Sequence, residues 1–235
     1  MNTNGRIIAE GTSPYDGAPI VLIVTGFDKV SANDKTGSML QSWILRTDVK
    51  PNEAFKDERG KSVCGNCPHH GSRKGSCYVR WYHAPLSVWN CYKRGNYPHI
   101  GNDWHLFDGH ALRMGSAGDP AMFNVEIWRK MLNHARTHTG YTHQWREAFA
   151  QEFRGIVQAS CEDVIDKLEA NFHDWKTFLV KHESVEDPTN SVHCMASIEK
   201  GQKTNCATCG LCSGSAADVV INAHGATANR VLMEV

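Results

Sequence analysis

The chain has 235 residues, with 25 basic and 25 acidic side chains, 41% hydrophobic and 21% charged; these values fit a folded globular chain and exclude disorder, collagen and coiled coil. Zero net charge excludes the general excess of Lys and Arg with which a protein that wraps nucleic acid displaces counterions, leaving room only for a local basic patch. The longest apolar run, Ala18 to Val24, contains Pro19 and is too short to span a bilayer, and Met1 to Gly11 is polar rather than signal-like, so the expectation is a cytoplasmic protein without a membrane partner.

Residues 1–17 carry Asn, Gly, Ser and Pro and read as a loose lead-in. Pro19 to Thr25 and Met39 to Arg46 are rich in Ile, Val, Leu and Trp and read as two strands of a long hairpin, with turn chemistry from Ser31, Asn33, Asp34, Lys35 and Gly37. Val49 to Arg59 reads as a connection, and Lys61 to Gly109, crowded with Cys, His, Gly, Trp and Tyr, shows neither a helical nor a strand period.

Beyond residue 110 the pattern is regular. Ala111 to Met114 reads as a strand, and Asp119 then caps a helix with Pro120 at its first position and Met122, Val125, Trp128, Met131, Leu132 and Ala135 on one face. Gly140 closes that segment, Tyr141 to His143 is extended, and a second helix turns Trp145, Phe149 and Phe153 inward before ending at Gly155. After the strand Ile156 to Ala159, Ser160 and Asp163 start a third helix that buries Val164, Ile165, Leu168 and Phe172. Thr177 to Val180, Val192 to Ala196 and Val219 to Ala223 complete the strands.

Strands alternating with helices predict parallel βαβ units, because a parallel return needs a crossover. The expected fold is α/β: an incomplete β/α barrel in a single domain over 1–235, with N-terminal strands over 1–60, an irregular Cys/His-rich metal-binding insert over 61–110, βα units over 111–200, and a Cys-rich loop with the last strand over 201–235. The interval 139–155 is too short for a full helix, which argues against a complete eight-fold barrel. Ligands of such folds gather beyond the carboxyl ends of the strands, which places Gly115 to Asp119, His143, Cys161 and Ser197 on one rim.

An odd count of nine cysteines cannot all pair within the chain, and in a reducing compartment points to metal or catalysis before disulfides. Cys206, Cys209 and Cys212 form C-x2-C-x2-C in a Gly, Ser, Thr and Asn loop, with Cys194 as a distant fourth thiolate. Such a set suits a [4Fe-4S] cluster, and tetrahedral zinc is the alternative. The earlier group is Cys64, Cys67, Cys77 and Cys91. Cys64, Cys67 and Cys77 alone would leave one iron of a cluster open to substrate or cofactor; Cys91, His69, His70 or His83 as a fourth ligand would close the site, and a zinc site is the third reading.

The sequence resembles a group of cysteine-rich phage- and plasmid-encoded proteins over roughly residues 30–225. The shared elements are Ser31, Asn33 and Lys35 to Gly37; Cys64, Cys67, Pro68, Cys77 and Tyr78; Gly118 to Pro120; Tyr141 to His143; and Cys194 with Cys206 to Cys212. More distantly it is similar to radical S-adenosylmethionine (SAM) enzymes, whose three-cysteine cluster sits at the mouth of a partial β/α barrel. That resemblance implies a SAM-binding role for Gly115, Ser116, Gly118 and Asp119, substrate or radical handling by Cys161 and His143, an auxiliary cluster on the later cysteines, and an electron donor such as a ferredoxin or flavodoxin. The spacing here, Cys-x2-Cys-x9-Cys, departs from the superfamily's Cys-x3-Cys-x2-Cys.

Plainer roles stand beside these. Gly115 to Asp119 also reads as a capped strand-to-helix turn, His143 as a packing or surface residue, Cys161 as a small buried hydrophobe, and Lys35 as a solvated loop charge. Trp81, Trp89 and Trp104 read as a roof over the metal region. The function classes are an iron–sulfur enzyme of radical SAM type, a metal-stabilised module that presents residues 78–110 to a host protein or nucleic acid, and an electron carrier.

Overall fold

The computed structural model describes residues 4–31, 33–73, 75–224 and 228–233. Its first three strands are antiparallel: β1 (Gly5–Thr12) pairs with β2 (Pro19–Thr25), and β2 with β3 (Leu40–Arg46). The unbroken apolar run Ile20 to Val24 is wholly buried, as expected of a central strand covered on both faces. The loose lead-in expected over 1–17 is corrected by β1. Its pairing shifts between Ile7 and Ala9, and at this bulge two successive isoleucines, Ile7 and Ile8, are buried, which masks the alternation a strand would show in sequence.

The chain then passes through α1 (Pro51–Ala54), α2 (Lys61–Cys64) and α3 (Ala84–Lys93). The aperiodic reading of 61–109 misses α3, in which Pro85, Val88, Trp89 and Cys91 face inward. Ten residues give too few turns for a face to stand out among neighbouring aromatic and histidine residues.

From here on the strands are parallel. They are β4 (Ala111–Ala117), then after α4 (Val125–Leu132) β5 (Thr137–Thr142) and β6 (Gln158–Cys161), then after α5 (Val164–Phe172) β7 (Thr177–Lys181), followed by β8 (Val192–His193), α6 (Cys206–Cys209) and β9 (Val219–Asn222). Together they make one open nine-stranded sheet, mostly parallel, in the order β1-β2-β3-β4-β5-β6-β7-β9-β8. The fold is mixed α/β. Among the described residues no helix is long and apolar enough to cross a membrane.

Four further expectations change. Asp119 does cap a helical turn by accepting from Ala121 N at 3.0 Å, but that turn covers only Pro120–Met122, and Asn124 starts α4 afresh. Gly140 lies within β5 rather than ending a helix; a Cβ there would stand 2.7 Å from Val157 Cγ1, so close strand contact requires the glycine. The helix expected around Trp145 is a 3-10 segment, Ala148–Phe153, with Phe149 outward, and the strand expected over 192–196 shrinks to β8.

The largest departure is α5. Asp163 itself is the cap, Ser160 lying within β6 rather than starting a capping box, and the apolar face looks outward: Val164, Ile165, Leu168 and Phe172 are 45, 75, 63 and 82% exposed, while Lys167 and Ala170 are buried. Polar pairing explains the inversion. Lys167 Nζ reaches Asp218 at 3.2 Å, and the Asn171 amide donates to Trp175 O and to Asp218 Oδ1.

Candidate metal centre

The first cysteine group is built from turns beyond the carboxyl ends of β3 to β6. Helix α2 ends at Cys64, and Gly65 at φ 55° reverses the chain so that Cys67 N donates to Cys64 O at 3.3 Å. A Cβ on Gly65 would fall 2.3 Å from Gln144 Oε1, and Gln144 in turn accepts from Asn66 N and donates to Cys64 O. Cys77 N donates to His69 O at 3.1 Å, which brings the third cysteine back across its nine-residue excursion. Cys64, Cys67 and Cys77 thus become electrostatic neighbours. Burial, and then the adjacent thiols, push the Cys64 and Cys67 thiols well above the usual range. In the absence of a cation Cys64 and Cys67 favour the neutral form.

A second set of donors meets this group. His143 follows β5 and Glu162 follows β6; His143 Nε2 lies 3.2 Å from Glu162 Oε1 and 3.8 Å from Cys67 Sγ. His69 Nε2 is 2.7 Å from the other oxygen of Glu162, and the two imidazoles meet edge to face with centroids 5.4 Å apart. Burial raises the Glu162 pKa, but hydrogen bonds from His143 and His69 outweigh it and hold the carboxyl well below its ordinary range. Among the described residues, His69, His143 and Glu162 are the one group of three such donors whose ligand atoms all lie within 4.8 Å of one another.

Asp119 ties these turns together. Its backbone N donates to Val63 O at 2.7 Å, next to Cys64, and its carboxylate accepts from Thr142 Oγ1 at 2.7 Å and from His143 N at 2.8 Å. Burial raises its pKa, and those same hydrogen bonds oppose the rise.

The second cysteine group lies against the starts of β3 and β4 and alongside the later part of β5. Ala207 packs with Met39 and Ala111, Cys206 N donates to Lys35 O at 2.8 Å, and Gly140 N donates to Cys212 O at 3.1 Å. Cys194, Cys206, Cys209 and Cys212 are mutual electrostatic neighbours. Burial pushes Cys212 up to about 12 even though the Tyr141 hydroxyl donates to its sulfur. One side chain links the two groups: Arg113 donates to Tyr78 Oη at 2.7 Å, next to Cys77, and its charge also faces Cys206.

The remaining candidates are placed differently. Cys91 sits on α3 in the main core and shares a hydrogen bond with Tyr97, and it is not among the thiols that act on Cys64 and Cys67. Cys161 points into the same core, with Ala159 O 3.6 Å from its sulfur, and burial raises its thiol pKa strongly. Ser116 Oγ donates to Gln41 Oε1 at 2.7 Å. Gly115 and Gly118 have φ of 73° and 81°; a Cβ on either would stand 2.7 Å from a backbone oxygen, that of Gly118 or of Ile44. Sequence reasoning missed Glu162. The available signal was its position directly after a strand, on the rim, where Cys161 drew attention instead.

Soft thiolates select iron–sulfur clusters or zinc, and among the described residues no three cysteine sulfurs lie within 4.8 Å of one another. Comparison of the chain with protein-family models, with curated proteins and with solved structures finds no match.

Proposed function

We propose that the chain is an iron–sulfur protein of phage type acting in a host cytoplasm, in which Cys64, Cys67 and Cys77 hold a [4Fe-4S] cluster with one open iron and Cys194, Cys206, Cys209 and Cys212 hold a second. Its reaction class is radical chemistry of the SAM type on a substrate that meets the rim, with electrons from a ferredoxin- or flavodoxin-like donor. The observation that carries the proposal is the convergence of Cys64, Cys67 and Cys77 just beyond the carboxyl ends of sequentially ordered parallel strands. The sequential order β3 to β7 supports a partial β/α barrel, since right-handed crossovers between such strands would keep the helices on one face.

An open cluster held by Cys64, Cys67 and Cys77 would supply one electron and a coordination position for SAM. The chain's own residues do the rest. Deprotonation of the raised thiols is driven by the bound cations. Asp119 fixes the Cys64 turn and the His143 turn relative to each other. Ser116 and Asp119 use their side chains in internal hydrogen bonds and Gly115 N donates to Ser42 Oγ at 2.8 Å, so the backbone around Gly118 is what this segment would offer a cofactor. Tyr78, held by Arg113, covers the flank next to Cys77.

Anaerobic purification with iron, sulfide and EPR analysis, before and after addition of SAM, tests the proposal. About eight irons and eight sulfides per chain, with a reduced signal that changes on SAM addition, are expected. Colourless protein without acid-labile sulfide refutes it. A non-catalytic reading with closed sites, iron–sulfur or zinc, has one observation in its favour: His143 Nε2, 3.8 Å from Cys67 Sγ, puts an imidazole in reach as a fourth ligand. It predicts metal without any response to SAM.

A further inference from the structure

We infer that His69, His143 and Glu162 bind one divalent transition-metal ion of the Fe(II) or Zn(II) class, separate from the cysteine-held metal. The site goes beyond the reading above and does not need a cluster to exist. Its three ligands come from three parts of the chain, the turn after Cys67, the end of β5 and the end of β6, and still bring two Nε2 atoms and a carboxylate within 4.8 Å of one another. Two imidazoles and one carboxylate form a donor set that favours Fe(II) or Zn(II) over Mg(II) or Ca(II), which take oxygen ligands.

The rings are aimed from behind. His69 Nδ1 is hydrogen-bonded to Ser76 Oγ at 2.6 Å, the kind of outer partner that fixes tautomer and orientation in metal-ligating histidines. The backbone of His143 is held by Asp119 Oδ2 at 2.8 Å. Glu162 stands directly after β6, so the sheet sets its position. All three side chains are partly buried, which leaves a path for an ion and a coordination position for water. Cys67 Sγ, close to His143, stands outside the group of three and borders the site.

The test uses the full chain, prepared without air and dialysed against EDTA, with Co(II) as the probe. Wild type is expected to take up one equivalent of Co(II) more than Glu162→Gln, with the visible absorption of nitrogen and oxygen ligands. Glu162→Gln and His143→Ala are each expected to weaken that equivalent by more than about tenfold. Circular dichroism reads folding of each variant, and Ser76→Ala, which leaves all three ligands in place, is expected to weaken binding less. Iron and sulfide are measured on the same samples, so loss of the cluster reading and loss of this site are told apart. Equal Co(II) uptake by wild type and a folded Glu162→Gln overturns the inference, whatever the cysteine groups hold.

Discussion

Asp119 concentrates the local chemistry of the rim, with one backbone donor and a carboxylate that accepts from Ala121 N, Thr142 Oγ1 and His143 N. Asp119→Asn keeps the shape but replaces one acceptor oxygen with a donor facing these groups. It is expected to cost about 1–3 kcal/mol and to lower iron occupancy at the first cysteine group while leaving the second filled, read by urea unfolding and iron content; unchanged occupancy would remove Asp119 as the organiser. His138 sets a pH dependence. Burial lowers its pKa below 6.5, opposed by hydrogen bonds to Ile156 O at 2.8 Å and Ser213 O at 3.1 Å. Below pH 6.5 the unfolded chain therefore binds a proton at this site more readily than the folded chain. Its stabilising contribution is complete above that pH and is lost as the pH falls toward the lower folded value. Urea midpoints should decline over that window in wild type and decline less in His138→Gln; equal slopes would contradict the assignment.

At the scale of elements, α5 shows a pairing overriding a pattern. The sequence period places Val164, Ile165, Leu168 and Phe172 on one stripe, and the stripe exists, but the Lys167–Asp218 pair turns the opposite side to the sheet. Lys167→Ala strands a buried carboxylate and is expected to cost about 3–5 kcal/mol, whereas Ile165→Ser on the exposed stripe should stay within about 0.5 kcal/mol. Thermal or urea unfolding of the two variants decides it, and a reversed ranking would mean that the stripe is covered and the pair is not. The strands were easier to read: β2 matches its expected span, and β7 and β9 match theirs to within a residue, because unbroken apolar runs bounded by turn residues identify buried strands without tertiary information.

For the whole molecule, the two cysteine groups lie at different places on one sheet, the first beyond carboxyl ends of strands and the second against the starts of β3 and β4 and alongside β5, joined through Tyr78 and Arg113. Independent sites predict that Cys64→Ser and Cys209→Ser each remove about half of the iron and labile sulfide; loss of all metal in either variant would show one site or obligatory coupling. The sequence by itself determined the mostly parallel α/β class, the acidic residue that caps α5 and the two thiol-rich segments, since caps, periods and C-x2-C turns are local properties. Only the tertiary structure decided which donors meet. Cys91 goes to the core with Tyr97, Cys161 points inward, and Glu162 joins His69 and His143, because residues 69, 143 and 162 become neighbours only through strand order and turn geometry. Spacing along a chain records the ligands one turn can supply, and a site assembled from several strand ends leaves no such spacing to read.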